Sequence, residues 1–161
     1  MKRDLTSLPI FDHAYAQCDG CELKPRCEAG KMVTALRPKA FNGLMLVGEG
    51  PGQSEVLYKR HFVGASGKLL SVLLESVGLK LDDCYVTNAT LCEPGKLKPG
   101  SKALHAELPG VIPSCVSRLE AEIAAVRPTV IVTLGAAAWA AISGIPYVGP
   151  FLAPVAAGVA L

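Results

Sequence analysis

The chain has 161 residues, of which 50% are hydrophobic and 19% charged, with a formal net charge of +2. That balance suits one globular domain with a sizeable core and excludes a disordered chain. So small a charge neither announces nor excludes a nucleic-acid partner, so any basic surface must be local. No run of about 18 uninterrupted apolar residues occurs, which argues against a membrane span. The opening MKRDLTSLPIFDH has two basic residues but no apolar run behind them, so it does not read as a secretory signal peptide and a cytoplasmic location is expected.

Residues 1–40 read as an irregular, cysteine-bearing segment with a short helix around Asp12–Gln17. They carry Cys18-x-x-Cys21, then Cys27, with Pro25 and Pro38. Leu44–Val47 predicts a short buried strand that runs into Gly48-Glu49-Gly50-Pro51-Gly52. The stretch GASGKLLSVLLESVGL predicts the clearest helix, with Leu69, Leu70, Leu73, Leu74 and Val77 on one face and Gly78 as its cap. Cys84–Asn88 predicts a second strand, followed by a Gly-, Pro- and Lys-rich loop from Glu93 to about Pro109. A helix is expected from about Pro113 to Val126, with Val116, Leu119, Ile123 and Val126 at helical spacing. Pro128–Gly135 reads as a third strand, continuously apolar as in a parallel sheet covered on both faces, and Ala136–Ser143 as a short Ala-rich helix.

Strands alternating with helices predict an α/β fold, three layers deep, with a mostly parallel central sheet, in a single domain spanning 1–161. The closing GIPYVGPFLAPVAAGVAL is apolar and broken by Pro and Gly, and it reads as interrupted: a last strand and helix are expected to be missing. In such sheets, sites form at the carboxyl ends of strands. Three ends stand out, at Gly48-Glu49-Gly50, Thr87-Asn88 and Leu134-Gly135.

The glycine loop could be a tight turn, or a place where a ligand approaches bare backbone. It is not a Walker A loop, for no Gly-Lys-Ser/Thr follows. It is not a dinucleotide fingerprint either, because Pro51 and a long irregular stretch are expected after it instead of a helix. Phe62 could be a core aromatic or could stack on a planar base. Asn88 could end a strand in a turn, or could offer acceptor and donors to the amide edge of a pyrimidine. Without a secretion signal, the six cysteines point away from a disulfide framework and toward metal ligation, catalysis or buried thiols. Cys18, Cys21, Cys92 and Cys115, from separate segments, suit an all-thiolate cluster or structural zinc. Cys27 could compete as a ligand, and Cys84 reads as an inert buried thiol.

The order Cys-x-x-Cys, GEGPG-x-x-E, FVG-x-x-G-x-LL, YVTN, Cys-x-Pro, a cysteine at a helix start and P-x-VIV-x-LG resembles the family 4, iron–sulfur uracil-DNA glycosylases. The resemblance runs from about Cys18 to Gly144, and order and spacing together make it specific. It implies a DNA-repair hydrolase acting on the N-glycosyl bond of uracil in single- or double-stranded DNA, working as a monomer. Gly48, Glu49, Gly50, Pro51 and Gly52 would form the first active-site loop, with Glu49 and Glu55 as its acidic catalytic positions. Phe62 would stack on the flipped uracil, and Asn88 would read its amide edge and reject cytosine. Cys18, Cys21, Cys92 and Cys115 would hold a 4Fe–4S cluster, with zinc the other candidate occupant.

The sequence also departs from that family. The family's later strand-end histidine, which donates to the uracil oxygen, has no match: the three histidines are His13, His61 and His105, all upstream. The Cys92–Cys115 separation is long, and the intervening loop carries three lysines and His105. Those lysines could contact phosphates, and His105 could be a nucleophile or a solvated loop residue. His61, directly before Phe62, reads as loop surface. The rival expectation is a non-catalytic iron–sulfur DNA-binding domain, or the front part of a larger phage or replication protein.

Overall fold

The computed structural model describes residues 2–95 and 110–144. The lysine loop with His105 and the stretch after Gly144 lie outside the described residues. Three strands, β1 (Leu44–Gly48), β2 (Tyr85–Asn88) and β3 (Val130–Thr133), form a parallel sheet in the order β2-β1-β3. The register sets Gly48 beside Asn88 and Val47 beside Thr133, so the central strand ends level with both neighbours. Five α-helices accompany the strands among the described residues: α1 (Lys24–Glu28), α2 (Gln53–Tyr58), α3 (Ala65–Ser76), α4 (Val111–Val126) and α5 (Ala136–Ser143).

Side chains alternate across the sheet, as the two-residue period of a strand dictates. Met45 and Val47 of β1, with Tyr85 and Ile131, pack on one face against Ile112, Leu119 and Val126 of α4 and against Ala137, Ala138, Ala141 and Ile142 of α5. Leu46 and Val86 turn to the other face, where Leu70 and Leu74 of α3 meet them. The expected α/β fold with helices on both faces is therefore present, and β1 is the strand from which the order departs in both directions.

The structure amends several local expectations. The stretch after Pro51 is not irregular: Gly52 caps α2, and the Glu55 side chain returns to the Gly52 N–H at 3.1 Å, which starts a helix where the glycines gave no periodic signal. The N-terminal segment contains α1 and is tied down by isolated bridges from Arg3 to Phe41, Met32 to Cys92 and Leu36 to Val86. Around Asp12 only a 3-10 turn forms, at His13–Tyr15. In α3 only part of the expected apolar face is covered, since Leu74 is buried while Leu69, Leu73 and Val77 are 45%, 56% and 69% exposed. Five residues at those positions span a wider arc than Leu46 and Val86 can cover. Gly78 ends the helix as expected, with φ +76° and its N–H donating to Glu75.

Candidate active site

The ends of β1 and β2 define the floor of a cleft of about 460 Å³, lined by Gly50, Gly52–Glu55, Phe62, Gly64–Gly67 and Asn88. That is within the roughly 300–1,000 Å³ typical of small-molecule sites. Pairing continues past the strands: Ala89 N–H donates to Gly48 O at 2.7 Å and Thr90 N–H to Glu49 O at 3.0 Å, which fixes the loop's first residues against β2. Gly48 answers the question of bare backbone. A Cβ there would collide with Asn88 Oδ1 and lie 2.9 Å from Phe62 Cζ, so the space a side chain would fill is shared by the amide oxygen and the aromatic edge. At Gly50, a Cβ would come within 2.8 Å of Thr90 Oγ1.

Phe62 is held in an unusual way. Its φ is +54°, a left-handed conformation that a bulky residue rarely adopts. Two contacts hold it there. Gly67, in the first turn of α3, lies directly against the Phe62 backbone: a Cβ would be 2.5 Å from Phe62 Cα and nearer still to its carbonyl. The Glu55 carboxylate takes the next two N–H groups, with Val63 and Gly64 each donating to Oε1 at 2.9 Å. Burial alone would push the Glu55 pKa up, but the N–H groups of Gly64, Val63 and Gly52 outweigh it and hold the group below the usual carboxylate value. Its two oxygens thus bridge the start of α2 to the approach of α3.

His61, read from the sequence as loop surface, is 3% exposed. Its Nε2 lies 3.0 Å from Thr34 O and its Nδ1 lies 3.1 Å from Asn88 Nδ2. Burial first, then Arg118, push its pKa down to about 4 against the opposing pulls of the Thr34 carbonyl and Glu55. Arg118 of α4 also escaped the sequence reading. It is fully buried, donating to Thr87 Oγ1 at 3.0 Å, to Asn88 O at 2.7 Å and to Ala89 O at 2.9 Å, with Glu122 Oε2 2.9 Å from Nη1. Burial pushes the Glu122 carboxyl up, with Arg118 opposing. A signal existed: Arg118 and Glu122 are opposite charges four residues apart on the helical stripe that contains Val111 and Cys115, both buried.

Of the residues expected at the site, Gly50, Gly52, Glu55, Phe62 and Asn88 line the cleft and Gly48 lies under it. Glu49 follows at the end of β1, half-buried and outside that lining, and Pro51 is buried beside it. No histidine lines the cleft among the described residues.

The expected ligand cysteines gather away from the cleft. Burial, followed by the neighbouring thiols of Cys115, Cys27 and Cys21, pushes the Cys18 thiol up, and Cys92 responds in the same sense to burial, Cys27, Cys115 and Cys18. Cys21, Cys27 and Cys92 pack with Leu23, Met32 and Val111. All six cysteines are free thiols. An all-thiol donor set from separate segments fits a soft metal or iron–sulfur core chemically, although the described residues contain no group of three or more ligands already spaced to hold an ion. Cys84 is buried apart from them, within 3.4 Å of Asn42 Nδ2, in keeping with an inert thiol. No helix among the described residues is long and apolar enough to cross a membrane.

Residues 38–158 match the Uracil DNA glycosylase superfamily. A type-4 uracil-DNA glycosylase of Archaeoglobus fulgidus is 36% identical over 113 residues, covering 68% of this chain and 53% of the relative. One of Thermotoga maritima is 38% identical over 95 residues, 59% of this chain and 46% of the relative. A type-5 uracil-DNA glycosylase of Pyrobaculum aerophilum is 34% identical over 116 residues, 69% of this chain and 46% of the relative. The chain thus spans about half the length of the relatives it matches. The match over residues 38–158 places the chain in the uracil DNA glycosylase superfamily, and the relatives it resembles include type-4 enzymes.

Proposed function

We propose that this chain takes a uracil flipped out of DNA into the cleft over Gly48 and hydrolyses its N-glycosyl bond, as a DNA-repair enzyme. The observation that carries the reading is the sharing of the space above Gly48 by Phe62 and Asn88 Oδ1. A base in a duplex cannot be reached, so it must leave the stack and be read in a pocket. Phe62 supplies a stacking surface, worth about 1–3 kcal/mol per base. Asn88 Oδ1 accepts the ring N–H of uracil, and a proton on Nδ2 donates to its carbonyl; cytosine presents the inverse pattern.

Bond cleavage builds positive charge on the sugar and negative charge on the departing base. Glu49, the residue after the cleft floor, is the carboxylate on the sugar side, where it stabilises the positive charge or orients the water that adds to the sugar carbon as uracil leaves with the bonding pair. Glu55 lines the cleft and accepts from three backbone N–H groups, which suits it to position Phe62. Side chains of Gln53, Ser54 and Ser66 line the cleft and can donate to a carbonyl oxygen. Cys18, Cys21, Cys92 and Cys115 would hold a 4Fe–4S cluster, with zinc the other occupant. When bound, it would cross-link the N-terminal segment to α4 and to the chain after β2, and no redox step is assigned to it. We infer a single-domain monomer acting in the cytoplasm.

An incision assay on oligonucleotides with one uracil tests the reading. An abasic product that falls by roughly a hundredfold or more in Glu49→Gln is expected. Uracil-dependent binding with no abasic product would instead favour a non-catalytic DNA-binding domain. A brown visible band, lost on Cys18→Ser and kept on Cys84→Ser, tests the cluster; stoichiometric zinc without colour would replace it.

A further inference from the structure

We propose that His61, which does not line the cleft, is a positioning residue that sets base specificity by locking the orientation of the Asn88 amide. The inference rests on the uracil reading above, but its core is a chain of hydrogen-bond necessity. Thr34 O is a backbone carbonyl and can only accept, so the His61 Nε2 at 3.0 Å must carry the proton. In the neutral ring Nδ1 is then a lone pair. The Asn88 group 3.1 Å from it must therefore be the donor, Nδ2. With Nδ2 committed on that side, Oδ1 is turned to the place above Gly48, where a Cβ would collide with it. A fixed backbone carbonyl two links away thus decides which end of the amide meets the base.

The lock matters because an amide is nearly symmetric in shape. Turned over, Asn88 would present a donor where it now presents an acceptor, and the same pocket would pair with the amidine edge of cytosine. Two features keep the imidazole neutral with Nδ1 bare. It is 3% exposed, so water does not compete for Nδ1. It stays neutral at physiological pH through burial, with the Arg118 guanidinium adding to the effect and Glu55 opposing it. The Asn88 backbone carbonyl accepts from Arg118 at 2.7 Å, which fixes the point from which its side chain projects. Arg37, Lys59 and Arg60 share with His61 and Thr34 a small pocket on its far side and add no acceptor to it.

The test compares wild type, His61→Leu and His61→Gln for binding to single-stranded oligonucleotides that carry one uracil or one cytosine. Leucine removes the lock, whereas the glutamine amide can still donate to Thr34 O and accept from Asn88. A uracil preference that falls about tenfold in His61→Leu and is kept in His61→Gln is expected, about one hydrogen bond's worth of orientation. An unchanged preference in His61→Leu overturns the proposal. Nitrogen-15 NMR of the wild type separates this failure from failure of the uracil reading. It should show the His61 proton on Nε2 and a bare Nδ1 whether or not uracil binds. A proton on Nδ1 at neutral pH would overturn the lock on its own, while a wild type with no uracil preference but a bare Nδ1 would overturn the uracil reading and, with it, the assigned role in specificity.

Discussion

Replacing Gly67 with alanine should destabilise the protein, against the ordinary preference of a helix. In the first turn of α3, alanine would normally gain about 1 kcal/mol over glycine. Here the new Cβ would lie 2.5 Å from Phe62 Cα and closer to the Phe62 carbonyl. All of these are backbone atoms, so no rotamer change relieves the contact. Either α3 shifts outward or the Phe62 backbone leaves its φ of +54°. Overpacking of this kind costs about 1–3 kcal/mol beyond any propensity gain, and each kcal/mol lowers Tm by about 2–4 °C in a chain of this size. Gly144→Ala is the matched control, because its Cβ would meet nothing nearer than Ala140 O at 4.0 Å. Thermal unfolding of both variants, alongside affinity for a uracil oligonucleotide, measures the effect. A Gly67→Ala protein as stable as wild type, with unchanged affinity, would refute the close approach and the account of how Phe62 is held.

Gly48→Ala should leave the chain folded but weaken uracil binding by tenfold or more, since its methyl occupies the position of Asn88 Oδ1; unchanged binding in titration would contradict the placement of the base. Arg118→Met should cost about 3–5 kcal/mol in urea denaturation by leaving Glu122 unpaired in the interior, and Arg118→Met/Glu122→Leu should recover part of that loss; a single variant costing under about 1 kcal/mol would show the pair to be dispensable. His61 titrates near 4 in the folded chain and at its ordinary 6.5 when unfolded, so the unfolded state binds the proton first. Its contribution to stability is therefore complete above about pH 6.5 and declines as pH falls toward 4, by roughly 3 kcal/mol in all. Asn88, Thr34, Glu55 and Arg118 surround the ring, and Arg37, Lys59 and Arg60 share the pocket on its far side. Denaturation midpoints from pH 7 to 4 should fall more steeply in wild type than in His61→Gln.

The sheet was legible because its strands are short apolar runs with no competing pattern. β2 and β3 lie within the stretches expected for them, β1 runs one residue past Leu44–Val47 to Gly48, and α5 falls on Ala136–Ser143. Phe62 and Asn88 were legible as candidates, each beside a structural alternative, and both line the cleft. What escaped was the support behind them. α2 starts on a capping interaction between Gly52 and Glu55, which leaves no hydrophobic period to detect. His61 is buried by tertiary contacts with Thr34 and Asn88, each 27 residues away in sequence, so no local pattern reports its burial. Gly67 is required by a backbone contact that composition cannot reveal. Glu55 was legible as an acid of the first motif, but its sequence position could not indicate that its oxygens are committed to N–H groups on both sides.

The Glu55 carboxylate closes residues 52–64 into a non-covalent ring, with Gly52 at one end and Val63 and Gly64 at the other. A ring behaves differently from a loop. Its conformational entropy is lost once, at folding, and not again at each encounter with a ligand. Its circumference is also fixed, so a residue inserted between Val56 and Arg60 must bulge outward or break the clasp, whereas the same insertion in an open loop would cost little. Phe62 is set in that ring, and its placement at the cleft depends on how many residues close the circle as well as on the aromatic side chain itself.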